Sequence, residues 1–193
     1  MRLTELAHAL LGEYLRPGDT ALDATAGNGH DTAYLARHVG ASGHVYAMDV
    51  QETAVASARA RLAAENSGAR VTWITGDHAR LAERLPKDLS GRLRAAVFNL
   101  GYLPGGNHAL TTRPDATRTA LESALPFLAA GGVLCVTCYR GHPGGEEEYR
   151  AVRDWFRHQR HAFAQARAFT GKNRRFPPVL LFAEKAAGQW QAH

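Results

Sequence analysis

The sequence is poor in cysteine and contains no long apolar run. Its 193 residues include two cysteines, Cys135 and Cys138, and a strand turns residues three apart to opposite faces, so we expect neither a disulfide nor a shared metal site. No apolar run reaches the roughly 20 residues of a membrane-spanning helix, and residues 1–15 show helical spacing instead of a signal-peptide core. We therefore predict a cytoplasmic protein that does not associate with a membrane.

Metal-binding motifs are also missing. The chain has ten histidines, but none falls in a His-Glu-x-x-His pattern, and no cysteine pair accompanies a histidine pair at zinc-finger spacing. We expect no metal. The length suits one full α/β core but not a second substrate domain of ordinary size, which predicts a single domain over residues 1–193. All of the chemistry must then lie on one sheet.

Acidic residues are scarce in one segment, from Arg150 to Arg175. It holds eight Arg or Lys and one acid, Asp154, so its charge of +7 leaves −2 for the rest of a chain whose net charge is +5. Such a segment could follow a phosphate backbone, or it could be a solvated face of helix and loop. The positive residues are Arg150, Arg153, Arg157, Arg160, Arg167, Lys172, Arg174 and Arg175.

Hydrophobic strands alternate with amphipathic helices along the chain. This alternation predicts an α/β fold with a Rossmann-like, doubly wound sheet of seven mostly parallel strands and helices on both faces. We place the strands at 20–24, 43–48, 69–75, 94–99, 132–139, 162–169 and 178–185. The helices include 3–15, 51–66, 114–129 and 146–159. Pro126 lies inside the third of these and should bend or split it.

The segment Thr20–Asp31, with the sequence TALDATAGNGHD, is the most informative part of the chain. A short apolar strand ends in Asp23, and Gly27 and Gly29 then lead into a predicted helix. Glycines at this turn let the backbone approach a ligand closely, and the free N–H groups of the following helix point to the same place. The segment predicts a site for an adenosine-bearing cofactor at the end of the first strand.

The spacing within this turn favours one cofactor over another. A dinucleotide fingerprint needs a third glycine three residues after Gly29, where Thr32 stands, which argues against a nicotinamide-dependent oxidoreductase. An acid four residues before Gly27 forms an acid-x-G-x-G-x-G loop in which Thr25 replaces the first glycine, and this pattern favours S-adenosyl-L-methionine. The alternative is a tight strand-to-helix turn without a ligand.

Two further strands end in residues that suit an adenosine. Asp49 follows the second strand, where a carboxylate can accept both ribose hydroxyls, and Gln51 is a second partner. Asp77 and His78 follow the third strand, where an acid meets the adenine amino group and its neighbour flanks the ring. Asp77 could instead serve only as the N-cap of the next helix.

A methyl acceptor would lie beyond the fourth and fifth strands. The segment 99–108, NLGYLPGGNH, resembles the Asn/Asp-Pro-Pro-Tyr loop of methyltransferases that modify base nitrogens, with both prolines replaced. The Asn99 side chain or the Leu100 carbonyl could accept hydrogen bonds from an amine and orient its lone pair. Tyr139 and His142 follow the fifth strand and would face the same pocket. The alternative for the first loop is a plain Gly-Pro connector.

The motifs together resemble a known family. DATAGNGHDT, FNLGYLPGGNH, TTRP and YRGHPGG are similar to those of small bacterial and plant-organelle proteins that were first labelled rRNA methylases and are now understood as tRNA wobble-uridine methyltransferases. The resemblance implies the seven-stranded class I methyltransferase sheet with its last strand antiparallel. It also implies N-methylation of 5-aminomethyl(-2-thio)uridine at tRNA position 34 with S-adenosyl-L-methionine. Asn107 departs from the family, because an acid is expected there.

The resemblance assigns roles by position. It implies cofactor contacts from Asp23, Gly27, Asn28, Gly29, Asp31, Asp49, Gln51, Asp77, His78, Asn99 and Leu100. It implies an acceptor pocket of Tyr102, Gly105, Gly106, His108, Thr112, Arg113, Tyr139 and His142, with catalysis by Asn99, His108, Tyr139 and His142.

The expected partner is the anticodon loop of tRNA. We expect the Arg150–Arg175 segment and Arg113 to neutralise phosphates, and Tyr102 or another exposed aromatic residue to stack on an unstacked base. A homodimer remains open. The alternatives are a methyltransferase acting on rRNA or a small molecule, a nicotinamide-dependent oxidoreductase, and a catalytically silent nucleic-acid-binding relative.

Overall fold

Seven strands form one sheet within residues 2–65, 68–101, 112–172 and 175–188, which the computed structural model describes. The strands are β1 Thr20–Asp23, β2 His44–Asp49, β3 Arg70–Thr75, β4 Leu93–Leu100, β5 Leu128–Cys138, β6 Phe163–Thr170 and β7 Val179–Lys185. The helices are α1 Leu3–Tyr14, α2 His30–Val39, α3 Glu52–Glu65, α4 Leu81–Arg84, α5 Pro114–Ala124 and α6 Gly145–His158. Short 3-10 turns cover His78–Arg80, Lys87–Leu89, Leu125–Phe127 and Arg160–Ala162.

The sheet has the doubly wound topology that the alternation predicted. Its order is β3-β2-β1-β4-β5-β7-β6, with parallel pairing from β3 through β5 and antiparallel pairing of β7 to both of its neighbours. The direction of strand progression reverses between β1 and β4. In such sheets ligands bind in the crevice beyond the carboxyl ends of the strands at this switch point.

The core lies on both faces of the sheet. On one face Leu11 of α1 and Leu35 of α2 pack with Cys135 of β5, and on the other face Leu121 of α5 packs in the cluster that contains Cys138. The two cysteines are therefore on opposite faces, as predicted, and both are free thiols whose pKa burial raises. No helix in the described part of the chain has the length and apolarity needed to span a bilayer.

The predicted helix 114–129 is too long. The α-helix ends at Ala124, the 3-10 turn Leu125–Phe127 follows, and Leu128 already begins β5. Pro126 explains the break, because it lacks an N–H and its ring clashes with the preceding helical turn. Strand β5 is correspondingly longer than the predicted 132–139, and the glycines at 131 and 132, where its register with β4 shifts, concealed its first half.

Candidate active site

A cleft of about 1180 Å³ opens at the carboxyl ends of the central strands. It is lined by residues that follow β1, β2, β3, β4 and β5, and also by the first residues of α1 and by the segment before β7. The predicted site residues that the structure brings together there are Gly27, Asn28, Asp31, Asp49, Gln51, Asp77, His78, Asn99, Thr112, Arg113, Tyr139 and His142. Four others, Tyr102, Gly105, Gly106 and His108, lie outside the described residues.

The glycine loop is held against the end of β2. Gly27 has a φ of +50°, and its N–H donates to Asp49 Oδ2 at 2.9 Å. Asp49 Oδ1 accepts the N–H of Gln51 at 2.9 Å. A carboxylate has about four lone-pair positions, so Asp49 keeps acceptor capacity toward the cleft after both backbone contacts. The predicted ribose contact is compatible with this geometry.

Gly29 does not line the cleft, although the sequence predicted a cofactor contact there. Its φ is +79°, and a Cβ there would lie 2.6 Å from the Cα of Ala58 in α3. No real Cβ tolerates that distance, so α2 and α3 pack closely only because residue 29 is glycine. The motif glycine therefore serves helix packing, and this position does not support a direct cofactor contact.

Asp23 is also behind the wall of the cleft. It is fully buried, and its carboxylate accepts the Thr32 hydroxyl at 2.6 Å and the Thr25 N–H at 3.2 Å. Burial, followed by the neighbouring charge of Asp31, raises the pKa of Asp23 to about 7. Thr32, which occupies the place of the missing third glycine, is thus the hydrogen-bond donor to Asp23. The predicted direct contact between Asp23 and the cofactor is not supported.

Asp77 and His78 form the far end of the cleft. Asp77 Oδ1 accepts the Ala79 N–H at 2.9 Å and caps the following 3-10 turn, and the Asp77 side chain remains 42% exposed in the cleft. His78 is buried, and its Nε2 has no hydrogen-bond partner among the described residues. Burial lowers the pKa of His78, which favours a neutral ring.

These residues fit S-adenosyl-L-methionine. A buried unpaired ring nitrogen at His78 calls for a polar ligand, because an unsatisfied buried group is costly. The carboxylates of Asp49 and Asp77 can accept hydrogen bonds from hydroxyl and amino groups, and the backbone at Gly27 leaves room for close approach. Of the chain's residues, Asp49, Gln51, Asp77 and His78 would hold the adenosine part.

His8 is a site residue that the sequence did not reveal. Its Nε2 lies 2.5 Å from Asp31 Oδ1, and the second oxygen of Asp31 accepts a hydrogen bond from Asn99 Nδ2. The His8 ring stacks on Tyr34 with 3.9 Å between ring centroids. Helix α1 therefore orients, through Asp31, the side chain of Asn99, which is predicted to bind the methyl-accepting amine. Only the helical spacing of α1 marked His8, and that spacing did not indicate which face meets the cleft.

Gly101, which follows β4, packs closely against the segment after β5. A Cβ on Gly101 would lie 3.3 Å from Tyr139 Cβ, and a Cβ on Gly145 would lie 2.7 Å from the Tyr139 carbonyl. Leu100 is fully buried and its carbonyl accepts the Tyr139 N–H at 3.0 Å. This carbonyl is occupied within the sheet and does not line the cleft, so the alternative role predicted for Leu100 as amine acceptor is not supported. Asn99 is the better placed of the two.

Glu148 of α6 holds residues that follow β4, on the side of the cleft predicted to bind the methyl acceptor. It is buried, and its carboxylate accepts the Thr112 hydroxyl at 2.7 Å and the Thr117 hydroxyl at 2.5 Å. Thr112 Oγ1 also accepts the Gly101 N–H at 2.9 Å. Burial raises the pKa of Glu148. The sequence did not reveal this role, although Glu148 stands one helical turn before the buried Val152 of α6.

The arginines of the Arg150–Arg175 segment have different surroundings in the structure. Arg150 pairs with Glu146 at 3.3 Å, and Arg153 and Arg157 lie 2.9 and 3.9 Å from Asp154. These contacts favour the solvated-face interpretation for α6. Arg175 differs, because it lines the cleft.

The described ranges contain no group of three or more His, Cys, Asp or Glu that could hold a metal ion.

The sheet with its antiparallel β7 and the acid-lined glycine loop define a class I S-adenosyl-L-methionine-dependent methyltransferase. More narrowly, the chain belongs to the family described as "Putative rRNA methylase", whose model matches residues 45–184. Residues 3–84 also match the model of protein-L-isoaspartate(D-aspartate) O-methyltransferase.

Individual relatives agree with this family. The chloroplastic tRNA (mnm(5)s(2)U34)-methyltransferase of Arabidopsis thaliana is 36% identical over 95% of this chain and 69% of that protein. The crystal structure of a putative rRNA-methylase from Clostridium thermocellum has 34% identity and a TM-score of 0.88, covering 96% of this chain and 98% of the other. A Streptococcus mutans protein in complex with SAH has 32% identity and a TM-score of 0.79 with the same coverage.

Proposed function

We propose that this enzyme methylates the primary amine of 5-aminomethyl(-2-thio)uridine at wobble position 34 of tRNA and yields the 5-methylaminomethyl form. The observation that carries the proposal is similarity over 95% of the chain to a plant tRNA (mnm(5)s(2)U34)-methyltransferase. A cleft with an amide at the end of β4 supports it, because the Asn99 side-chain oxygen can accept a hydrogen bond from an amine.

The acceptor must lose a proton before it reacts. A primary alkylamine has a pKa near that of lysine, about 10.4, so at neutral pH it is mostly an ammonium without a free lone pair. S-adenosyl-L-methionine supplies an electrophilic methyl group. The chain's part is to deprotonate and orient the amine, and the described candidates for the proton are Tyr139 and His142, both on the cleft wall. The positive charge of Arg113 would disfavour the ammonium form.

Orientation of the amine falls to Asn99 in this proposal. Its amide nitrogen donates to Asp31, which determines which way the amide plane faces, and its oxygen can then accept a hydrogen bond from the amine. Correct placement of two reacting groups supplies much of the acceleration in a displacement reaction. His8 acts through Asp31 and is a positioning residue rather than a catalytic one.

We propose that the enzyme docks on the anticodon loop in a compartment that contains tRNA, in keeping with the cytoplasmic location expected from the sequence. Arg113 and Arg175 line the cleft and could neutralise phosphates near it. Binding should therefore weaken steeply as salt increases. An affinity for tRNA that barely changes between about 50 and 200 mM salt would exclude this docking mode.

The decisive test compares tRNA nucleosides by mass spectrometry in cells with and without the gene. Deletion should accumulate the unmethylated 5-aminomethyl form, and the purified enzyme with donor should convert it. With the purified enzyme, Asn99→Ala, Tyr139→Phe and His142→Ala should lower turnover. SAH affinity, measured by calorimetry, should stay close to wild type in Tyr139→Phe and His142→Ala. Normal turnover in all three variants would exclude this assignment of the pocket.

A second candidate is methylation of rRNA, which the description of the matching family model favours. A radiolabelled methyl donor offered with bulk tRNA, rRNA or small metabolites separates the candidates. Label in tRNA alone supports the first proposal, and label in rRNA or in a metabolite overturns it.

A further inference from the structure

One exposed aromatic residue of the cleft has no role in the chemistry above. Phe176 is 46% exposed and lies on the cleft wall with Arg175 and Pro178, in the segment that leads into β7. Leaving an apolar ring of this size in water is unfavourable unless a partner covers it. The sequence marked the segment only as the end of a basic run.

The fold holds Phe176 beside the acceptor pocket. Cys138 pairs with Val179 at the end of the β5–β7 ladder, so the next residues, Tyr139 and Pro178, lie at the same edge of the sheet. The Gly171 N–H donates to the Pro178 carbonyl at 2.9 Å and closes the loop between β6 and β7. Phe176 is two residues from that closure. It is therefore placed by the ladder that also places Tyr139, which is 40% exposed.

The charge around Phe176 is positive. The Arg175 guanidinium carbon lies 5.5 Å from the Phe176 ring centroid, and Arg113 lines the same cleft. Among the described residues, neither arginine forms an ion pair with a carboxylate. Four acids of the described ranges line the cleft. Asp49 and Asp77 stand at the ends of β2 and β3 on the other side of the switch point. The other two are engaged within the protein, because Glu5 pairs with Arg2 and Asp31 contacts His8 and Asn99.

We propose that Phe176 is the platform on which an unpaired base of the RNA acceptor stacks, and that Arg175 contacts the neighbouring phosphate. Proteins that recognise single-stranded RNA combine an exposed aromatic face with nearby cations, because every base has a π-face and every nucleotide has a phosphate. A protein or membrane partner would not need both features beside a methyl-acceptor pocket. This inference depends on the proposed function, in which the acceptor is RNA.

The test measures turnover on tRNA and binding of an anticodon stem-loop RNA in the presence of SAH. Phe176→Leu keeps an apolar side chain but removes the π-face, and it should weaken stem-loop binding and raise the KM for tRNA by roughly 5- to 100-fold. Phe176→Trp should restore both. Calorimetric SAH affinity should stay within about twofold of wild type in both variants, because the adenosine end of the cleft is unchanged.

Arginine variants give the second arm. Arg175→Ala should reduce the slope of log affinity against log salt by about one. Arg92→Ala is the matched control. Arg92 is exposed just before β4, at the amino ends of the parallel strands and away from the cleft, so the salt dependence of this variant should equal that of wild type.

Two results would overturn the stacking role. The first is a Phe176→Leu enzyme with wild-type KM for tRNA, and the second is a loss of SAH affinity in that variant. If the wild-type enzyme does not methylate tRNA at all, the proposed function has failed, and that outcome is visible before any variant is compared.

Discussion

The cleft has two halves that the chain builds in different ways. The donor half, at the ends of β1, β2 and β3, consists of backbone turns and carboxylates such as Asp49 and Asp77, and its main contacts join short loops to one another. The acceptor half, at the ends of β4 and β5 and the start of β7, depends on side chains brought from distant helices, such as Glu148 of α6. Donor recognition is thus a local property of the sequence, and acceptor recognition is a property of the tertiary fold.

The largest effect should come from Gly29→Ala, which disturbs the packing of α2 against α3 next to the donor half. The new Cβ would lie 2.6 Å from Ala58 Cα at a residue with positive φ, so we expect a loss of about 2–4 kcal/mol in the free energy of unfolding. Gly91→Ala is the matched control, since Gly91 also has positive φ but a Cβ there meets nothing within 4 Å, and it should cost only about 1 kcal/mol. Equal losses in urea denaturation would contradict the packing role.

The second effect tests whether the donor half acts alone. Asp49→Ala removes the acceptor for the Gly27 N–H and for the predicted ribose hydroxyls, so SAH affinity should fall by roughly 10- to 100-fold. Stem-loop RNA binding should change by less than about threefold. If RNA binding falls as much as donor affinity, the two halves are not separable and the comparison fails.

The third effect is the reverse experiment in the acceptor half. Glu148→Ala leaves the hydroxyls of Thr112 and Thr117 without their buried acceptor, so the loop after β4 should loosen and kcat on tRNA should fall by about 10-fold. Glu148→Gln preserves the shape and should retain most of the activity. SAH affinity in both variants, measured by calorimetry, should remain close to wild type, and a parallel loss of donor binding would count against the division.

The smallest effect concerns pH. Asp23 has an ordinary pKa of 3.8 and a folded-state pKa of about 7, so its contribution to stability is complete below pH 3.8 and is lost as the pH rises through 7. Asp23→Asn has no charge to bury. Relative to wild type, its free energy of unfolding should increase between pH 6 and pH 7 by about 1 kcal/mol.

Thr32→Val should act in the opposite direction, because it removes the hydroxyl that stabilises the ionised Asp23. Its free energy of unfolding should fall more steeply than that of wild type over the same pH range. Parallel pH profiles for wild type and Asp23→Asn would show that this carboxylate does not titrate there.

Most of the fold could be predicted because periodicity reports burial directly. Strand count, the doubly wound arrangement and the opposite faces of Cys135 and Cys138 follow from alternation and connection rules. The antiparallel last strand was implied by the family resemblance. The end of α5 was misplaced, since the apolar spacing from Leu121 to Leu128 suits a helix while Pro126 forbids one. The missing N–H and the ring of Pro126 therefore determined the end of the helix, and the apolar spacing did not.

The site was predictable where the type of residue that follows a parallel strand carries the signal by itself. Gly27 and Asp49 were each recognised from their positions after β1 and β2, and the structure brings them together across 22 residues. His8, Glu148 and Phe176 were missed because none of them directly follows a parallel strand, and they reach the site only through the packing of α1 and α6 and the pairing of β6 with β7. Nothing in the local pattern of α1, α6 or the loop before β7 specifies those neighbours.

The contact of His8 with Asp31 has a practical consequence for anyone who trims this protein. A version that starts at residue 16 would retain every strand and the whole glycine loop, but it would lose the core side chains of α1, including the fully buried Leu11. It would also leave Asp31 without its imidazole neighbour. Loss of methylation in such a version would report the missing core as well as the missing imidazole, so the role of α1 in orienting Asn99 has to be read from His8 alone.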